Sequence, residues 1–251
     1  MYKIYFSIFL LGHVLGDFYL QVNKMAERKK DKVAWILIHS AFYLAGMMLV
    51  IIPFISWEMI LIAFIMGILH LLIDLGKYIL ISSIDKKGKM TNKTDRNLFF
   101  LDQGLHLISI VMVAYLITSL GLTTGEARWC KSFFDTINLS GREVLSWLLA
   151  FLIIHKPTNI AIQKLLMIYR PEGKEEEPKQ KTNAGSVIGT LERIIIVIFF
   201  GIKEYGAIGL VLTAKSIARY DKITKEKDFA DYYLLGTLIS SVIGIVVALI
   251  I

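Results

Sequence analysis

Three histidines in this chain stand one helical turn from an aspartate inside otherwise apolar segments. His13 and Asp17 lie in Gly12-His-Val-Leu-Gly-Asp-Phe-Tyr-Leu-Gln21, and His70 and Asp74 in Gly67-Ile-Leu-His-Leu-Leu-Ile-Asp74. Asp102 and His106 lie in Phe99-Phe-Leu-Asp-Gln-Gly-Leu-His106, in reversed order. The i, i+4 spacing puts both members of each pair on one face of a helix. A fourth histidine, His39, sits in Trp35-Ile-Leu-Ile-His-Ser40, so four of the five histidines occupy apolar surroundings. Ionisable groups are costly in hydrocarbon and are kept there mainly for function, so these residues point to a buried metal or proton site.

Imidazole and carboxylate together suit zinc, iron or manganese, and three protein ligands with one open position leave room for an activated water. The candidate ligands of a divalent metal, zinc first among them, are His13, Asp17, His39, His70, Asp74, Asp102 and His106. Aspartates that do not ligate would orient the histidines. Cys130 is the only cysteine, which excludes an intrachain disulfide and a multi-thiolate site. Three readings remain open on the residues alone: a metal centre, a proton or ion pathway, and a hydrogen-bonded cluster that holds helices together.

The elements that must carry these residues are membrane-spanning helices. Of the 251 residues 55% are hydrophobic, and the mean hydropathy is +0.60. Apolar runs near twenty residues recur, each enough to cross about 30 Å of hydrocarbon. The expected fold is all-α, a polytopic bundle of about eight helices (six to eight), at 2–23, 33–52, 57–84, 97–119, 143–169, 186–202, 205–220 and 231–251. The opening run is read as the first helix rather than a secretory signal, because His13 and Asp17 interrupt it and no clear small-x-small cleavage site follows.

Basic residues crowd every second connection: Lys24 to Lys32, Lys86 to Arg96, Arg170 to Lys181 and Lys222 to Lys227, whereas Pro53 to Trp57 has none. Those basic loops are expected on the cytoplasmic side, with both termini outside. The formal charge of +7 is then a topology signal directed at anionic membrane lipids, and no nucleic-acid partner is expected. A bacterial inner (plasma) membrane is the expected location. Within Gly121 to Arg142 a short amphipathic segment is expected on the outer surface. Helices six and seven are short enough to form a re-entrant pair, and Glu172 to Pro178 reads as solvated linker. The whole chain is read as a single membrane domain, 1–251, with the His and Asp helices in 1–120 and cationic motifs in 143–251.

Counted from the expected cytoplasmic edges Lys24, Lys32, Asp85 and Asn97, the polar residues fall near one depth. Asp17 and His39 are seven residues in, His106 nine, and His13 and Asp74 eleven, a spread of roughly 6 Å. His70 and Asp102, at fifteen and five, are expected to lie apart from that layer.

The second half carries other chemistry. In His155-Lys-Pro-Thr-Asn159 the proline removes a backbone donor and frees carbonyls, so a kink is expected. Glu192 and Arg193 begin helix six, and Lys215 and Arg219 end helix seven at i and i+4. Arg193, Lys215 and Arg219 would clamp a phosphate or carboxylate at the cytoplasmic interface, against the simpler reading of lysine and arginine reaching for headgroups. Glu192 either neutralises Arg193 or serves as a general base. Gly236 to Ser240 has the small residues of close helix packing.

The combination His13-x3-Asp17-Phe-x-Leu-Gln21, His70-x3-Asp74-x2-Lys77, Asp102-Gln103-x2-His106, Leu191-Glu192-Arg193 and Lys215-Ser-Ile-x-Arg219 resembles a family of bacterial polytopic membrane proteins catalogued as a domain of unknown function. The similarity spans nearly the whole chain and implies no particular activity. Its motifs add Lys77 and Gln103 to Arg193, Lys215 and Arg219 as candidate substrate-binding residues. In chemistry alone the His and Asp layer is similar to the intramembrane zinc hydrolases of the ceramidase and adiponectin-receptor class. The leading expectation is therefore a metal-dependent hydrolase of a lipid, lipid-linked or anionic substrate, with Asp17, Asp74 and Glu192 as candidate catalytic carboxylates. Its alternatives are a proton- or metal-coupled transporter and a non-catalytic membrane partner of a soluble regulator.

Overall fold

The structure is a computed structural model and describes residues 1–29, 31–122, 125–169 and 184–250. Every regular element among the described residues is helical. The expected linker at Glu172 to Pro178 and the basic loop from Arg170 to Lys181 lie outside the described residues. Residues group into two compact units, Met1–Leu149 and Ala150–Ile251, a boundary that falls inside a helix rather than in a loop.

The first unit begins with α1, Tyr2–Val14, which runs on through a π-helical turn, Leu15–Tyr19. The short α2, Asn23–Arg28, leads to α3, Val33–Ile51, which closes in a 3-10 turn, Ile52–Phe54, where Pro53 stops the helix. Helix α4, Trp57–Asp85, starts where the Ser56 hydroxyl accepts from the Met59 amide. Helix α5, Asn92–Ser119, starts where Thr91 does the same for Thr94. Helices α6, Arg128–Thr136, and α7, Gly141–Leu166, follow.

Burial in this unit is inverted relative to a soluble bundle, as a hydrocarbon surround demands. On α4 the inner stripe is Met59, Ala63, Met66, His70 and Asp74, while Ile68 and Leu72 on the opposite side are 56% and 58% exposed. On α5 the buried stripe is Leu98, Asp102, His106, Ile110, Ala114 and Ile117. The polar residues therefore continue the same i, i+4 stripes that build the apolar core. Helix α1 closes on α3 through glycine. A Cβ at Gly16 would lie 2.7 Å from the Tyr43 ring and 3.0 Å from the Tyr43 Cα, and one at Gly12 would meet Met47 at 2.5 Å, so the backbones meet as in small-x3-small membrane packing.

At one end of the unit the Tyr5 hydroxyl donates to the Leu122 carbonyl at 2.7 Å. At that end the Ala127 amide also donates to the Pro53 carbonyl, at 2.7 Å. The start of α1, the Pro53 turn, Leu122 and Ala127 thus share one end, the pairing the alternation of basic loops requires. Helix α6 presents Trp129 and Phe133 outward, with Ile137 exposed just past its end, the apolar face of the expected interfacial segment.

The second unit holds the end of α7, then α8, Ala184–Gly201, α9, Tyr205–Ile217, α10, Tyr220–Lys225, and α11, Lys227–Ile250. Pro157 sits inside α7, which continues through it. The carbonyls it loosens are used: Ile153 O accepts from the Thr158 hydroxyl and Ile154 O from Arg193 Nε, both at 2.7 Å. Helices α8 and α11 pack closely at Gly244, where a Cβ would approach Ile196 to 3.2 Å.

Among the described residues six helices are long and apolar enough to cross a membrane: 33–54, 57–85, 92–119, 141–169, 184–201 and 227–250. Of the eight expected spans, two are shorter as built. Helix α9, with 13 residues, is about 20 Å long and falls short of a bilayer core, while α1 reaches full length only with its π-turn.

Candidate metal centre

Four helices bring the seven expected ligands together inside the first unit, all of them buried. Helix α3 contributes His39, whose Nε2 lies 3.0 Å from Asp17 Oδ1 and 3.0 Å from His70 Nε2. Asp74 Oδ2 is 3.5 Å from His39 Nε2 and 3.7 Å from His70 Nε2, and His70 Nε2 is 4.0 Å from Asp17 Oδ1. An imidazole nitrogen has one proton or one lone pair to offer, in one direction, so His39 Nε2 cannot make two full hydrogen bonds at once. A cation among these atoms would use every lone pair together. Four ligands about 2.0–2.1 Å from a tetrahedral ion stand about 3.3 Å apart, and the separations of 3.0 to 4.0 Å bracket that edge.

Asp17 is placed by the π-turn, in which the Leu20 amide reaches back five residues to Leu15 O at 2.8 Å. Such turns recur at functional sites because the extra residue re-aims the side chains around it. Its Oδ2 accepts from Gln103 Nε2 at 2.8 Å, and Gln103 Oε1 faces His13 Nε2 at 3.4 Å. His70 stacks flat on Tyr43, with ring centroids 3.7 Å apart, and on its other neighbour His106 at 4.4 Å. Three triads present ligand atoms within 4.8 Å of one another: Asp17, His39 and His70; His13, His70 and His106; and Asp17, Asp102 and His106.

Two lysines face the carboxylates. Lys29 donates to Asp74 at 3.2 and 3.4 Å, and Lys77 donates to Asp102 Oδ2 at 2.7 Å. Lys29 belongs to the loop whose basic residues signal topology, which hid its inward turn. Tyr43 carried no polar partner in sequence to mark it. The Gly12-x3-Gly16 spacing was a readable sign of close packing beside the site.

The depth count separated His70 and Asp102 from the layer, and the structure corrects this. Helix α5 begins at Asn92, five residues before the assumed edge at Asn97, so Asp102 sits ten residues in. Helix α4, at 29 residues, is about 44 Å long. Counting inward from its far end therefore overstated the depth of His70, which is central to the cluster.

The cationic clamp expected of Arg193, Lys215 and Arg219 does not form as one wall. Arg193 is 1% exposed, and its guanidinium donates to Ile154 O, Ser240 Oγ, Asn159 Oδ1 and Thr190 Oγ1. Glu192 takes Lys215 as its partner, at 2.6 Å, rather than Arg193. Arg219 is exposed. The small residues of α11 pack as expected, with Thr237, Ser240 and Ser241 buried, and Ser240 also serves Arg193.

A helical membrane protein with a buried His and Asp cluster at the heart of its N-terminal unit is the class these observations define. Residues 5–130 match the family described as "Protein of unknown function (DUF3307)". That is half of the chain, and the chain belongs to this family. Neither a search of curated proteins nor one of solved structures finds a match. All seven cluster residues, with Lys29, Lys77 and Gln103, fall within the matched segment. The Leu191-Glu192-Arg193 and Lys215 to Arg219 motifs lie beyond it, so of the resemblance read over nearly the whole chain the match covers the part within residues 5–130.

Proposed function

We propose that this protein is a metal-dependent membrane hydrolase acting on a lipid or lipid-linked substrate, seated in the bacterial inner membrane. The observation that supports it is the convergence of His39 Nε2, His70 Nε2, Asp17 Oδ1 and Asp74 Oδ2, which hydrogen bonding alone does not satisfy. Imidazole with carboxylate favours zinc. A divalent ion there supplies Lewis acidity and a water acidic enough to attack at neutral pH.

The chain's own residues divide the remaining work. Asp17, His39 and His70 hold the ion, and Gln103 fixes the Asp17 carboxylate through its second oxygen. Asp74, held by Lys29 beside both imidazoles, is placed to take up a proton. Lys77, half-buried and adjacent, brings positive charge for an anionic headgroup.

Purified from membranes without chelators, the protein should carry stoichiometric metal and release product from lipid vesicles followed by mass spectrometry. Asp74→Asn should keep metal and lose turnover by about 10²–10⁴-fold. Metal-free wild type, or full turnover by Asp74→Asn, would overturn the proposal. A second reading is favoured by the pairs Lys29 to Asp74 and Lys77 to Asp102, since an incoming cation would displace an ammonium group from its carboxylate. That is the behaviour of an ion-coupled transporter, and counterflow of labelled zinc in proteoliposomes without lipid turnover would select it.

A further inference from the structure

Beyond the outer ring nitrogens Nδ1 of His13, His39 and His70, the cluster leaves an oxygen and a nitrogen on α5 without a hydrogen-bond partner. Among the described residues, Asp102 Oδ1 and His106 Nε2 have no hydrogen-bond partner, although their residues are only 4% and 2% exposed. They face each other one turn apart on α5, at 3.7 Å. That is too long for a hydrogen bond. It is the separation of two ligands about 2.1 Å from one ion, subtending an angle of about 120°. A buried carboxylate oxygen left without a donor costs free energy that the fold has no reason to bear unless something fills the position.

Asp17 ties this second position to the first. Its Oδ1 faces His39, while its Oδ2 turns toward Gln103, whose amide also reaches Asp102 Oδ2 at 3.3 Å. Asp17 is the residue common to the triad with His39 and His70 and the triad with Asp102 and His106. From this geometry we infer that the cluster holds two divalent cations, the second bound by Asp102 and His106, with the Asp17 carboxylate bridging to the first. His13, whose ring centroid is 5.0 Å from that of His106, is the remaining nitrogen donor on that side. Paired ions about 3.5–4 Å apart clamp both the attacking and the departing oxygen of a displacement, which deepens the hydrolase reading and rests on it.

The test is metal stoichiometry in the full chain, stripped by chelator, reloaded with zinc alone in detergent and measured by elemental analysis on the monodisperse fraction. Wild type should bind two ions, and His106→Gln and Asp102→Asn one each. His39→Gln should lose the first ion. Two variants at the second position guard against one that fails to fold. One ion in wild type, kept in both α5 variants and lost in His39→Gln, would overturn the second site while leaving the proposed centre intact. No ion in wild type would overturn both.

Discussion

Asp17→Asn separates a metal centre from a polar cluster most sharply, because asparagine keeps the size and the acceptor oxygen of aspartate and removes only its charge. In a merely hydrogen-bonded cluster the substituted side chain's carbonyl would still accept from His39, and at most the Gln103 contact at 2.8 Å would be disturbed. That costs about 1–3 kcal/mol of stability and nothing else. In a metal centre the substitution takes the anionic charge from one of the three donors, Asp17, His39 and His70, spaced at 3.0 to 4.0 Å. Structural zinc sites bind with about 10–16 kcal/mol over four ligands, so one ligand accounts for about 3 kcal/mol, or a roughly 100-fold weaker affinity. The assay is competition against chelators of graded zinc affinity, with elemental analysis of the protein fraction. Asp17→Asn holding zinc as tightly as wild type, or a wild type that competes for none, would refute the argument from His39.

Three further outcomes follow from contacts elsewhere in the chain. Gly16→Ala places a methyl 2.7 Å from the Tyr43 ring and 3.0 Å from its Cα, so it should cost about 1–3 kcal/mol and lower the thermal midpoint in detergent; an unchanged midpoint would mean that α1 and α3 do not approach so closely. Arg193→Met strands the acceptors on Ile154, Asn159 and Ser240 and should destabilise by about 2–4 kcal/mol, with the same loss whether or not substrate is present; a midpoint unchanged in Arg193→Met would refute the structural assignment. Cys130 is 4% exposed, and burial together with neighbouring Glu126 pushes its thiol up. It should therefore react slowly with maleimide at neutral pH and leave a quiet background for single cysteines at Lys89 and Gly125, which should label from opposite sides of the membrane; labelling of both from the same side would overturn the topology.

The helical membrane class, the general path of the chain and the seven cluster residues were legible in the sequence because each rests on a cost that is paid locally. Twenty apolar residues have few other uses, and a histidine one turn from an aspartate in hydrocarbon is conspicuous whatever surrounds it. Hydropathy was silent on which stripe of each helix faces inward, since both sides of α4 are apolar, and only His70 and Asp74 marked the buried one. What tertiary structure decided was distance and partnership. Depth counted from assumed helix ends misplaced His70 and Asp102, because helix ends are set by caps and by neighbours rather than by the bilayer edge. Lys29 turned inward onto Asp74, and Glu192 chose Lys215 over its neighbour Arg193, because adjacent residues on a helix point about 100° apart. The sharing of His39 Nε2 between Asp17 and His70, on which the metal reading stands, exists only once three separate helical segments have packed.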